Sequence, residues 1–476
     1  METTPTIARR SVEYKPTYQR FVLKQKSYNQ QFSHLYVSRL LLLREAITRR
    51  INENAASGSD TRKASVLHKI IDLKDGDECI IIGTVLKVLR AKPNLFDALT
   101  SEDGVTPLET LGRSLASDDD QLILEDESGR VELIGDINIG QLVTGIVLGV
   151  RGRMSARDNG FDVKQIYCPE YPPQHALPER QDSEYVVLVS GLSMGRNADP
   201  NPLRSHVLVD YLAGRIGDEQ ETKFVSQIVR TIVVGNSIET SNGAQSSSRS
   251  HDVAAAETTK SNKKSVEELA LDAEPMKNMD ELLSSLACSM CVDIMPGRTD
   301  PSNYTLPQQS FHPCLFPRSS RFASFRAVTN PYEAQIGGVQ FFGHSGQPLQ
   351  SMLQCMTRRP QSDDVEMNGD AKEDEEEAES ERALDCLQRC LEWRHAAPTA
   401  PDLVACFPMV NEDPFILETC PHVLFAGNQK QFSTRMTTGA KGQQVRVINV
   451  PSFAETSTIV LVDLKDLSCF PISISL

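Results

Sequence analysis

The stretch at residues 291–317, CVDIMPGRTDPSNYTLPQQSFHPCLFP, decides how the chain is to be read. It opens on an apolar run, Val292 to Met295, with the length and β-branched content of a buried strand. Pro296-Gly297 then stops that strand abruptly. Pro301, Pro307, Pro313 and Pro317 follow, with Pro331 soon after. Each removes a backbone donor and restrains the residue before it, so little of this stretch can be helix. A strand that runs into a long, rigid, polar loop is where an open α/β sheet keeps its ligand site, outside the carboxyl ends of its strands.

Outward from that strand, alternation of strands and helices is expected from residue 184 onward. YVVLVSGL (185–192) reads as a buried strand, LRSHVLVDYLAGRIG (203–217) as an amphipathic helix closed by Gly214 or Gly217, and TIVVGNS (231–237) as a second strand. Helices are expected at 279–290 and 383–395. HVLFAGNQ (422–429), QQVRVINVPSF and TSTIVLVDL complete the strands of an α/β sandwich. Further upstream, ECIIIGTVLKV (78–88) is a strand in which Gly83 suggests a bulge or sharp bend. QLILEDESGRVELIGD (121–136) is a pair of strands about a turn in which Gly129 is free to take positive φ. Two more strands lie within 140–154 and 160–168. Five strands with glycine bends fit a small, partly open Greek-key barrel of the OB type. SHLYVSRLLLLREAITRR, from Ser33, reads as a helix with Ser33 as its cap, its apolar face packed on the body and its arginines in water.

At 476 residues, two domains with linkers are the natural expectation. The boundaries read as a basic flexible arm at 1–32, a helix and linker at 33–64, the barrel domain at 65–182 and the sandwich at 183–476. Disordered insertions are expected at about 238–264 and 360–381 from their Ser-rich and acidic composition. No apolar run reaches the length of a membrane span and the opening residues lack a signal-peptide core, so cytosol or nucleus is the expected compartment. The 11 scattered cysteines point to reduced thiols. A net charge of −15 argues against coating nucleic acid with the whole surface. Residues 1–63 hold 12 Lys+Arg against 5 Asp+Glu, whereas residues 363–381 hold 11 acidic residues and one lysine, a solvated loop by composition. Single-strand binding by the barrel would need a basic, aromatic groove. Residues 78–168 instead carry 9 Lys+Arg, 15 Asp+Glu and three aromatic rings, which favours a structural or docking module.

Four strand ends, VLVSGL, IVVGNS, VDIMPGRTD and VLFAGNQ, resemble in order and spacing those of the calcineurin-like metallophosphoesterases. Working members of that family carry Asp-x-His, Gly-Asp, Gly-Asn-His-Asp/Glu and Gly-His-x-His there, because two divalent metals need a bridging carboxylate and imidazole ligands to activate water. This chain offers Ser190, Gly191 and Leu192 at the first end. It has Gly235, Asn236 and Ser237 at the second, with a neutral amide in place of the bridging aspartate. Pro296, Gly297 and Asp300 stand at the third end, and Gly427, Asn428 and Gln429 at the fourth, where histidines belong. The resemblance therefore implies a frame that has lost its metals: no catalytic residues and no cofactor.

An OB barrel followed by a ligand-stripped phosphoesterase domain resembles the B-subunits of eukaryotic replicative DNA polymerases, and among them the small (second) subunits of DNA polymerase delta. FSHLYVSRLLLLR, LEDESGRVELIGD, YVVLVSGLSMG, residues 291–317, TNPYEA, FFGHSGQ, WRHAAPTAPDLVACFP and DPFILETCPHVLFAGNQ carry that resemblance across about residues 32–430. It implies a nuclear, non-catalytic scaffold for DNA replication and repair. Such a subunit holds the cysteine-rich C-terminal module of the polymerase delta catalytic subunit and a third regulatory subunit, is shared with the catalytic subunit of polymerase zeta, and meets DNA only indirectly. The rival readings are an active metal-dependent phosphodiesterase or nuclease, and a single-strand binder built on the basic arm and barrel. Cys288 and Cys291 form a C-x-x-C without a second pair nearby, and buried thiols are the favoured reading. Cys386 and Cys390 read as helix core. His312, His344, His395 and His422 with Asp300 are the residues from which a single-metal site could be rebuilt, though structural roles are favoured.

Overall fold

The computed structural model describes residues 7–24, 27–56, 65–92, 114–155, 160–195, 203–239, 266–357, 371–410 and 412–475. The described part of the N-terminal segment is not the flexible arm its basic composition suggests. β1 (Tyr14–Pro16) pairs antiparallel with the strand at 332–336, and the turn at Tyr18–Phe21 buries Phe21 completely. Phe21 packs on Phe342 and Phe415, with ring centroids 6.1 and 6.4 Å away. Arg9 donates to the carbonyls of Leu212, Val225 and Ile228. Three aromatic residues in eight positions supply enough apolar area to outweigh the entropy lost in ordering the segment.

The helix Ser33–Ala56 lays Leu40, Leu43, Ile47 and Ile51 on the outside of the barrel, against Ile80, Ile82, Val147 and Tyr167. Ser33 is its first helical residue rather than its cap. Its arginines are not all in water, because Arg39 is wholly buried. The barrel consists of β2 (Ser65–Val66), β3 (Glu78–Val88), β4 (Gln121–Glu125), β5 (Arg130–Gly135), β6 (Val147–Met154) and β7 (Phe161–Tyr167), in the order β2-β3-β4-β5-β7-β6. A β3–β6 pairing closes it. β3 serves β6 with residues 78–84 and β4 with residues 84–88, so it coils where the partners change. Gly83 sits there, and a Cβ on it would stand 2.7 Å from the Glu125 carbonyl oxygen. The ladder runs through Gly83 unbroken, so the glycine marks a bend and not a bulge. Nor does Gly129 adopt positive φ; the Asp126 carboxylate makes that turn by accepting from the Ser128 and Gly129 amides.

The remaining strands are β8 (Tyr185–Val189), β9 (Ile228–Val234), β10 (Cys291–Met295), β11 (Phe325–Ala327), β12 (Tyr332–Ile336), β13 (Val339–His344), β14 (Val423–Gln429), β15 (Ser433–Thr438), β16 (Gln444–Pro451), β17 (Thr458–Asp463) and β18 (Cys469–Ser473). They form two six-stranded sheets, β11-β10-β9-β8-β17-β18 and β1-β12-β13-β14-β16-β15. Within β8, Val186 and Leu188 enter the core between the sheets, with Phe341, Phe425 and Ile448. Val187 and Val189 face the helices Leu203–Leu212 and Val266–Ala287 on the other side. A strand buried on both faces reads as continuous Val/Leu, which is why YVVLV shows no polar alternation. The far face of the second sheet packs with the helix Ala371–Glu392 and the barrel in one further core.

That helix corrects the reading of 360–381 as disorder. Residues 358–370 and 240–265 lie outside the described residues, but a helix is present from Ala371. Its acidic residues meet cations on the neighbouring sheet edge: Glu379 pairs with Lys430 at 2.5 Å, and Glu381 and Asp385 both pair with Arg435. Further along the helix Leu384, Cys386, Leu387 and Cys390 are buried, as is Trp393 just past its end. Cys288 is exposed and Cys291 half-buried, so the C-x-x-C is not the buried pair expected; both thiols are free.

Candidate functional site

β8, β9 and β10 run parallel in one sheet and β14 lies in the other, and their carboxyl ends meet. At the end of β9, Gly235 and Asn236 take φ of 74° and 51°. This left-handed pair turns the chain back under the loop after β10. The two loops nearly touch, since a Cβ on Gly235 would lie 2.8 Å from the Gly297 Cα. The Asn236 side-chain oxygen accepts from the amides of Arg298 at 2.7 Å and Thr299 at 3.3 Å.

Asp300, the one carboxylate among the strand-end positions singled out in the sequence, is buried and occupied. Its Oδ1 accepts from the Ser237 and Ile238 amides at 2.9 Å each, and its Oδ2 from the Gly297 amide at 2.7 Å. Burial pushes its pKa up to about 6, against the pull of those backbone donors. It staples the β9 and β10 loops together.

At the β14 end, Asn428 has φ 57°. Its backbone amide donates to Ser190 Oγ at 2.9 Å, and its Nδ2 to the carbonyls of Ser345 at 2.8 Å and Val234 at 3.3 Å. Ser190 Oγ in turn donates to the carbonyls of Pro451 and Val450. Gln429 turns back to the Gly427 carbonyl. Leu192 points away, into the helix-side core, and Pro296 is buried. Gly191, at φ 62°, leaves no room for a side chain beside Ser452 and Asn428.

Sequence reasoning missed the groups that fill the rest of this region. Asn330 Nδ2 lies 2.8 Å from Gln308 Oε1 and 2.9 Å from Ser345 Oγ, and Gln347 Nε2 donates to Gln308 Oε1 at 2.9 Å. Gln308 Nε2 donates to the carbonyls of Gly297 and Asn303. The proline-rich loop is thus pinned to the β13 end by amides, whose types carry no sequence signal of their own.

This donor set does not suit a pair of divalent cations, which need anionic or imidazole ligands with lone pairs free for the metal. The amides bond one another, and both Asp300 oxygens are taken by backbone N–H groups. The four histidines are dispersed. His312 Nδ1 accepts from the Cys314 amide, His344 Nδ1 from the Gly346 amide, and His422 Nδ1 from the Gln340 amide. His395 pairs with Asp413 at 2.9 Å. Among the described residues, no three His, Cys, Asp or Glu side chains are grouped to hold a metal ion.

The chain matches the family model for the DNA polymerase alpha/epsilon B-subunit over residues 186–434 and that for the DNA polymerase delta subunit OB-fold domain over residues 31–166. A DNA polymerase delta small subunit of Arabidopsis thaliana is 37% identical over 98% of this chain and 96% of its own length. The rice (Oryza sativa subsp. japonica) protein of the same name is 35% identical over 98% of each chain. That of Saccharomyces cerevisiae is 31% identical over 95% of this chain and 91% of its own.

Proposed function

The chain belongs to the family of DNA polymerase delta small subunits, and from that premise we propose that it serves the polymerase as a non-catalytic scaffold in the nucleus. On this reading the sandwich is a phosphoesterase-type frame without its ligands. One observation carries it: neutral amides, hydroxyls and glycines occupy the four strand ends, and Asp300 is consumed by backbone donors.

A scaffold needs rigid surface, and the loop after β10 supplies it. Gln308, Asn303 and Gln309 bond its backbone from within, while Gln309 also ties it to Phe21 and Leu23 of the N-terminal segment. The partners this reading assigns are the cysteine-rich C-terminal module of the polymerase delta catalytic subunit, a third regulatory subunit, and the polymerase zeta catalytic subunit, with DNA met through them. Stable assemblies of this kind bury about 1,200–2,000 Å2 per interface.

The test is co-expression of the full-length chain with the C-terminal tail of a polymerase delta catalytic subunit. Stoichiometric co-elution is expected, with no manganese-dependent phosphodiesterase activity in the same sample. Failure to co-elute would overturn the partner assignment. Manganese-dependent cleavage abolished by Asp300→Ala would overturn the non-catalytic reading.

A further inference from the structure

A cavity lies away from the strand ends. It holds about 600 Å3 between the helix Ser33–Ala56, the connector at 169–177 and the turn joining β15 to β16. Arg49, Arg50, Arg394 and Lys441 line it, opposed on its wall by Glu53 and Glu170. Four cations facing two carboxylates is a local excess on a chain of net charge −15.

Two of these cations are held close together against their own repulsion. Arg394 stands at φ 52°, unusual for a side chain of its size, with Nε donating to the Glu170 carbonyl at 2.6 Å and Nη2 to that of Tyr171 at 3.1 Å. Its Nη1 has no hydrogen-bond partner among the described residues. Burial first, and then the charge of Arg49, lower its pKa. Arg50 is committed to Glu170 and the Cys168 carbonyl and so forms a fixed floor. The Arg49–Glu45 and Lys441–Glu53 pairs, at 3.1 and 2.9 Å, are largely exposed and exchange readily for another anion.

We infer that this cavity binds a phosphate-class anion, held by Arg49, Arg394 and Lys441 above Arg50. Guanidinium groups from the helix Ser33–Ala56 and from the turn that follows the helix Ala371–Glu392, with an ammonium from the β15–β16 turn, line one cavity. A phosphate presents three or more acceptor oxygens to them, whereas a carboxylate presents two. The volume falls in the range of small-molecule pockets, roughly 300–1,000 Å3, so the phosphate can be free or the ester of a nucleoside-sized group packed on Pro173 and Leu177.

The experiment is thermal denaturation of the full-length chain titrated with sodium pyrophosphate, with adenosine monophosphate, and with sodium chloride at matched ionic strength. At least one phosphate compound is expected to raise the melting temperature beyond the salt control. Tighter binding of the nucleotide assigns the ester, and tighter binding of pyrophosphate assigns the free anion. Arg49→Gln with Lys441→Gln, both at exposed pairs, leaves the unliganded melting temperature in place and raises the half-saturating concentration about tenfold or more. Lys441→Gln alone provides the same readout with a smaller shift if the double variant does not fold. No stabilisation beyond salt by either compound, or a variant that responds like the parent, overturns the site.

Discussion

Arg39 Nε lies 2.7 Å from Asp413 Oδ2, and both side chains are completely buried although 374 residues separate them. The other guanidinium nitrogens donate to the carbonyls of Gly145 in the barrel domain and of Pro398 and Ala400 in the sandwich. One cation thus fastens the N-terminal helix, the barrel and the sandwich at a single point. Truncation strands the buried Asp413 carboxylate, so Arg39→Met is expected to cost about 3–5 kcal/mol. Arg39→Lys recovers little, because an ammonium cannot fill a fork reaching four acceptors. Urea unfolding of the variants, with Arg39→Met/Asp413→Asn closing a double-mutant cycle, measures the coupling. A loss below about 1 kcal/mol for Arg39→Met would show that the pair contributes nothing net.

Acid weakens the same junction. Burial, followed by repulsion from Arg39, holds His395 neutral with its pKa near 4, and burial alone does the same for His344. A folded-state value below the unfolded one, about 6.5, gives a contribution complete above pH 6.5 and lost as pH falls toward 4. Each histidine is worth about 3 kcal/mol over that window. Asp300 has the opposite sign: its raised pKa, near 6, makes its contribution greatest below the unfolded carboxylate value and lost as pH rises through 6. His422, also lowered by burial, adds to the histidine loss from pH 7 to pH 5, while the raised Asp293 and Glu333 carboxyls add to the Asp300 gain. The loss due to one histidine is therefore read from the difference between the parent and its variant. Chemical denaturation at those two pH values should show His344→Gln losing less stability toward pH 5 than the parent. An equal or greater loss in the variant would refute the assignment.

Legibility followed the patterning. β3 spans the residues read from ECIIIGTVLKV, because a strand whose two faces meet different cores is apolar throughout. The hairpin of β12 and β13 is equally legible yet falls outside the expected strands. Gly337-Gly338 sits between YEAQI and VQFFGH, both glycines take positive φ, and Ile336 pairs with Val339 across them. At the strand ends, residue types revealed what is missing but not what replaces it. Gln308, Asn330, Ser345 and Gln347 come from three separate stretches and meet only through the fold. Composition misled where partners were distant in sequence: Arg435 and Lys430 neutralise a helix that reads in isolation as a self-repelling tract.

Those contacts make the acidic helix salt-sensitive at one end only. Glu376, Glu379 and Glu381 are tied to Gln431, Lys430 and Arg435 at the surface, whereas Leu384, Leu387, Leu391 and Trp393 are buried. Raising the salt from about 0.1 to 1 M shortens the screening length from about 10 to 3 Å. Hydrogen exchange at residues 376–381 should therefore accelerate severalfold while 384–392 stays protected, and Arg435→Glu should reproduce the effect at low salt. Uniform protection along the helix in both conditions would mean that the ion pairs do not hold it.

Asn236 and Asn428 pair a left-handed backbone with a side chain that bonds the neighbouring loop, and that dual role predicts how substitutions rank. Asn236→Ala loses both and should cost about 2 kcal/mol or more. Asn236→Gly restores the backbone freedom and should cost less. Asn236→Asp keeps an acceptor for the Arg298 amide and places a carboxylate where the resemblance to metallophosphoesterases implies one. It should nevertheless not bring manganese binding, even with Asn428→His, because the Asp300 oxygens remain committed to the Ser237, Ile238 and Gly297 amides. Calorimetric titration of the double variant with manganese checks this: micromolar binding would show that two substitutions suffice to rebuild the site, and that the backbone donors around Asp300 yield to a metal.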